Sequence, residues 1–67
     1  MRRLKLTRLS GECENGNCPT VYVSDHGSLV VQGDAVSHAD GLTLGNGEQA
    51  VEISVQLLRE ALSALGD

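Results

Sequence analysis

Thr20-Val-Tyr-Val-Ser-Asp-His-Gly-Ser-Leu-Val-Val-Gln32 is the stretch on which the fold class turns. Two runs rich in β-branched residues flank Ser24-Asp25-His26-Gly27. Such runs suit a pleated, half-buried surface, and Asp and Gly supply the turn between them. The reading is a β-hairpin with strands over residues 20–23 and 28–32. Side chains alternate with period two, so Val21 and Val23 share one face and Leu29 and Val31 share the matching one. These four residues are expected to begin the core.

Upstream, Leu4 and Leu6 alternate with Lys5 and Thr7, which predicts a first strand over residues 3–9, although Leu9 breaks the pattern. The basic residues occupy its polar face, and exposed Lys and Arg suit an edge strand because they discourage further pairing. Residues 10–19 read as a connecting loop: Asn15-Gly16 is a strong turn pair, and Pro19 ends the loop before the hairpin. Downstream, residues 34–41 read as loop. Leu42-Thr43-Leu44 is a candidate short strand, and Gly45-Asn46-Gly47 turns back into a strand over residues 48–53. Ser54 suits an N-cap, its hydroxyl available to the free amides of a first helical turn. A helix over residues 55–65 follows, with Val55, Leu58, Ala61, Leu62 and Leu65 as its inward face and Gly66 in the usual stop position. Three turns do not persist alone in water, so the helix is expected to pack on the sheet. The fold class is therefore α+β, a small antiparallel β-meander of four or five strands packed by one C-terminal helix. Residues 1–67 make a single domain with a basic strand or arm (1–8), a central hairpin (20–32) and a C-terminal helix (54–65).

Sixty-seven residues with one aromatic side chain, Tyr22, build only a small core. Self-association or a permanent partner is therefore expected. The formal net charge is −4, and the charges are segregated. Arg2, Arg3, Lys5 and Arg8 carry four of the five basic charges, while all nine acids follow Gly11. An acidic body repels phosphate backbones and favours basic partners. Direct nucleic-acid binding is thus confined to the basic arm, which reads equally well as the positive edge of an acidic protein. No apolar run approaches the roughly 20 residues that span a bilayer. The N-terminus carries positive charge but neither an apolar segment nor a cleavage-like site, so a signal peptide is not expected and the cytoplasm is the default compartment.

Cys13 and Cys18, with His26 and His38, can be assembled into a Cys2His2 zinc set, since Cys-x4-Cys falls within zinc-ligand spacings. A disulfide across the short loop is a second reading. Free thiols, one of them partly buried, are the third and the one preferred; no cofactor is assigned. Asp25-His26 lie adjacent on a turn and do not aim at one point, and no nucleophile elbow, oxyanion loop or second acid accompanies them. Gly45-Asn46-Gly47 and the glycines between residues 11 and 16 lack phosphate-loop spacing. The chain is read as non-enzymatic. Candidate partner-binding residues are Glu12, Glu14 and Asp25 for a basic partner, Arg2 and Arg3 on the arm, and Leu57, which lies off the helix's inward face.

Asn17-Cys18 after a Ser-Gly loop, Val21-Tyr22-Val23, Gly27 to Val31, and Glu52-Ile53-Ser54 with Leu58-Arg59 and Leu62 form an ordered series. In this the chain resembles the small acidic actinobacterial proteins of domain-of-unknown-function family 397, which include BldB-type developmental proteins. It differs at Gln32-Gly33-Asp34, at Val55 and at Leu58, where that family usually has Arg-Asp-Ser, Pro and Trp. The resemblance implies a regulatory protein acting beside a helix-turn-helix regulator, in an antitoxin-like or co-regulator arrangement.

Overall fold

A computed structural model describes residues 3–11 and 18–66 of the chain. Five strands, β1 (Leu6–Ser10), β2 (Thr20–Ser24), β3 (Leu29–Gln32), β4 (Asp34–Val36) and β5 (Ala50–Glu52), precede one helix, α1 (Val55–Ala64). The first three form an antiparallel sheet in the order β1-β2-β3, and β4-β5 form a separate two-stranded ribbon. The expected α+β class is the one observed, with the meander split into two sheets.

The central hairpin closes as its composition dictates. Gly27 amide donates to Ser24 carbonyl at 3.1 Å and Ser24 amide to Ser28 carbonyl at 2.8 Å, with Gly27 at φ +83°. A tight turn followed by a left-handed glycine matches the right-handed twist of the flanking strands. Ser24 Oγ accepts the amides of His26 and Ser28 and pairs with Ser28 Oγ at 2.8 Å, so Ser24 is buried without an unmet polar group. In β2–β3, Val21 lies opposite Val31 and Val23 opposite Leu29, placing the four expected core residues on one face.

Only part of that face becomes core. Val21 is fully buried, Val23 and Val31 are half-buried, and Leu29 is exposed. The reason lies in the helix, which packs on β1 and β2 and leaves β3 at the margin. β1 is an edge strand, as its basic residues suggest, and the Leu9 irregularity has a structural meaning. Thr7 pairs with Val23 and Arg8 with Tyr22, but Ser10 pairs with Val21, so Leu9 is an extra residue in a β-bulge. The bulge returns Ser10 to the Val21 face. It also corrects the expected orientation of the strand: Leu6 falls on the face away from the helix with Arg8 and Tyr22, and Leu4 and Leu6 are exposed.

Residues 33–49 depart further from expectation. The partner of β5 is β4, in the segment read as loop, and Leu42–Leu44 is not a strand. Two β-turns bracket the Leu42–Leu44 segment, one closed by Leu42 amide to Ala39 carbonyl (3.0 Å) and one by Glu48 amide to Gly45 carbonyl (3.1 Å). Between them too few residues remain to run a ladder beside β5. Gly33 separates β3 from β4, and a Cβ there would stand 2.5 Å from the carbonyl oxygen of Glu52. The absence of a side chain lets the end of β5 close against the start of the ribbon.

Ser54 caps α1 as its sequence position predicts, its Oγ accepting the Leu57 amide at 3.0 Å. Gly66, at φ +78°, ends it. The helix docks on the sheet through a shifted face, which keeps Ala61 of the expected set and adds Leu57. Ala61 is fully buried and Leu57 half-buried, whereas Val55, Leu58, Leu62 and Leu65 are exposed. Leu57 and Ala61 lie one turn apart, so both look at the sheet. Ser10 Oγ donates to the Leu57 carbonyl at 2.9 Å and fixes that rotation. Ser10→Ala is expected to cost about 1 kcal/mol by removing one partly buried hydrogen bond; denaturant titration measures it, and an unchanged midpoint would mean that the bond does not orient α1. Among the described residues the buried apolar side chains are Val21 and Ala61. A core of that size leaves little margin.

Candidate functional site

Three surface features carry chemistry. The first is the β4–β5 ribbon with its connection, residues 34–52, which contains Asp34, Asp40, Glu48 and Glu52 and no Lys or Arg. All four acids are exposed. Asp34 stands directly opposite Glu52 in the ladder, and like charges so placed repel. Glu48 is turned inward on its own loop, where its Oε1 accepts the Gly45 amide at 2.6 Å. No Lys or Arg forms an ion pair with a carboxylate among the described residues. Asp34, Asp40 and Glu52 thus keep their charge facing solvent.

The second feature is the exposed flank of α1. Val55, Leu58, Leu62 and Leu65 are 66%, 39%, 42% and 46% exposed. At about 100° per residue these four fall within an arc of about 80°, roughly a quarter-turn from the Leu57–Ala61 direction. The apolar surface of the helix is therefore wider than the strip its own sheet covers.

The third is a cleft of about 850 Å³ between the start of α1 and the ends of the loop, with Arg8, Gly11, Cys18, Ser54, Leu57 and Glu60 on its walls. Its hydroxyls are occupied in holding the fold: Ser10 Oγ donates to the Leu57 carbonyl, and Ser54 Oγ accepts the Leu57 amide. Neither is aimed at the opening by a neighbouring base.

Against these features the sequence-derived site residues divide. Arg2, Glu12, Cys13 and Glu14 lie outside the described residues. Arg3 is exposed ahead of β1. Asp25 is tied to the sheet: its amide donates to Lys5 carbonyl at 2.9 Å, and its Oδ1 accepts the Lys5 amide at 3.2 Å. Its carboxylate prolongs the β1–β2 pairing into the turn, and His26 Nε2 stands 3.9 Å from it, both side chains partly exposed. Leu57, a candidate docking residue, packs on the sheet with Ala61, which periodicity assigns inward, while Val55, Leu58, Leu62 and Leu65, also assigned inward, are exposed. A helical projection carried a sign of this, because the apolar arc from Leu57 round to Val55 is too broad for one sheet contact.

The chain matches no family model, no curated protein and no solved structure.

The cysteine reading is corrected. Cys18 is disulfide-bonded, and no described cysteine is free, so the preferred free-thiol reading fails there. The sequence has two cysteines, and the other is Cys13. A sulfur in a disulfide is not a thiolate ligand, which removes Cys18 from the zinc set. Geometry removes it as well. Cys18 precedes β2 and His26 follows it, so five residues of strand, roughly 17 Å, separate them. Among the described residues no group of three or more His, Cys, Asp or Glu side chains is placed to hold a metal ion. His38 is exposed in the β4–β5 connection. No described helix is long and apolar enough to cross a membrane.

Proposed function

We propose that this chain is a non-enzymatic, acidic interaction protein that binds a basic regulatory partner. The observation that carries the reading is the β4–β5 ribbon: a unit with acids only, two of them opposed across the ladder and none matched by a Lys or Arg. Repulsion between Asp34 and Glu52 falls when a cationic surface approaches, so part of the binding energy comes from relief of strain already present in the free chain. The class of partner, a helix-turn-helix regulator whose basic surface otherwise meets phosphate, comes from the resemblance to domain-of-unknown-function family 397. Antitoxin-like sequestration or co-regulation both fit a body that competes with DNA for such a surface. A cytoplasmic setting belongs to the same proposal, and the Cys18 disulfide is the observation that runs against it, since such bonds persist mainly in oxidising compartments.

The test is affinity capture on the immobilised chain from nuclease-treated extract, read beside an Asp34→Lys, Glu52→Lys variant. The wild type is expected to retain a basic DNA-binding protein at about 50 mM salt and to release it as salt approaches about 500 mM, where the screening length falls to about 4 Å. The variant is expected to retain none. Salt-insensitive retention, or equal retention by the variant, would sink the reading. Capture of nucleic acid alone from extract without nuclease would favour the basic edge formed by Arg3, Lys5 and Arg8.

A further inference from the structure

We infer that Asn46 is a self-modification site, converted through a cyclic imide with Gly47 into aspartate and isoaspartate. The inference does not depend on the basic-partner reading, because the reaction needs only this chain and water.

Geometry is the first argument. The β4–β5 connection holds two turns of the same build. Asp40 and Gly41 are the central residues of the turn closed by Leu42 amide on Ala39 carbonyl, and Asn46 and Gly47 those of the turn closed by Glu48 amide on Gly45 carbonyl. The glycine has φ +90° in the first and +84° in the second, and all four central residues are exposed. The second turn places a side-chain amide beside the nitrogen of a glycine. Asparagine is the residue whose side-chain carbonyl carbon closes a five-membered ring with the next nitrogen, and attack within one chain has a high effective concentration. Glycine permits the backbone rotation that closure needs.

The freedom of both reacting groups is the second argument. Among the described residues neither the Gly47 nitrogen nor the Asn46 side chain makes a hydrogen bond. A Cβ on Gly47 would meet nothing within 4 Å, so that side of the turn is open to water. The Glu48 Oε1 bond to the Gly45 amide, at 2.6 Å, ties the ends of the turn and leaves its tip unengaged.

The reaction balances without an oxidant. Hydroxide takes the Gly47 amide proton, and the nitrogen attacks Cγ of Asn46. The bond from Cγ to the side-chain nitrogen breaks, and ammonia leaves with a proton from water. Water then opens the ring at either carbonyl. Opening at Cγ gives aspartate; opening at the main-chain carbonyl gives isoaspartate, in which the main chain runs through the side chain and gains a methylene. Either product adds one carboxylate to a chain of net charge −4, within the acid-only run and between Asp40 and Glu48. Asp40 is the internal comparison: its carboxylate has no ammonia to lose, so the equivalent turn should convert far more slowly at neutral pH.

Incubation of the purified chain at neutral pH, folded or in guanidinium chloride, tests the inference. Digestion before aspartate followed by mass spectrometry isolates fragment 40–66, which excludes Asn15. That fragment should gain the mass difference between an amide and an acid, and part of the product should resist cleavage before residue 46, the mark of isoaspartate. The folded chain should react within about 10-fold of the rate in guanidinium, because the fold withholds neither reacting group. Asn46→Gln, whose side chain would close a larger ring, should lose the gain. An Asn46 that keeps its amide in the folded chain, a product that is aspartate alone, or an undiminished gain in Asn46→Gln would overturn the inference.

Discussion

A glutamate in place of Ala61 is expected to unfold the domain, while a glutamate in place of the adjacent Leu62 leaves it folded. Ala61 is fully buried between α1 and the sheet. A carboxylate at that point must either be buried unpaired or force the helix from the sheet. Either outcome costs about 3–5 kcal/mol. A domain of this length has about 3–10 kcal/mol in total. Leu62 is one residue on and a quarter-turn round, with its side chain 42% exposed, so glutamate there reaches water directly. Urea titration with far-ultraviolet circular dichroism separates the two variants. If Leu62→Glu unfolds and Ala61→Glu does not, the helix is rotated from the arrangement described here.

Alanine at Gly11 is expected to cost roughly 2–4 kcal/mol, from two causes that act together. Gly11 has φ +103°, a conformation that a side chain disfavours, and an added Cβ would stand 2.5 Å from the Pro19 carbonyl oxygen and 3.0 Å from Thr20 Cα. Both of those atoms belong to backbone and cannot swing aside. The contact lies where the end of β1 meets the start of β2, so displacement there strains the Ser10–Val21 pair at the centre of the core. Gly27 is the control. It too has positive φ, at +83°, but nothing lies within 4 Å of its added Cβ, so Gly27→Ala should cost only about 1 kcal/mol. Equal losses for both would show that backbone conformation alone accounts for Gly11 and that the close approach does not matter.

The candidate site is legible in the sequence only where it depends on composition. The acid-only run from Asp34 to Glu52 can be read off directly, but the opposition of Asp34 and Glu52 cannot, because it needs β4 as the partner of β5 rather than the Leu42 segment. Leu42–Leu44 has good strand chemistry over a stretch too short to decide anything, and the turns at Ala39–Leu42 and Gly45–Glu48 take its ends. Cysteine spacing likewise left thiol, disulfide and metal as alternatives, since spacing alone does not say where Cys18 and His26 point.

Local chemistry was enough for the elements whose signals act within a few residues. The Ser24–Gly27 turn, the Ser54 cap and the Gly66 stop all rest on hydrogen bonds or dihedrals confined to a single turn. What needed the tertiary structure was direction. α1 has apolar residues through nearly half its circumference, and either side of that arc satisfies a sheet equally well when read from the helix alone. The choice was made by the Leu9 bulge, which brings Ser10 to the Val21 face, and by the Ser10 hydrogen bond to Leu57 that follows. Neither contact is local in sequence. Together they turn Leu58 and Leu62, which periodicity assigns to the core, outward to solvent.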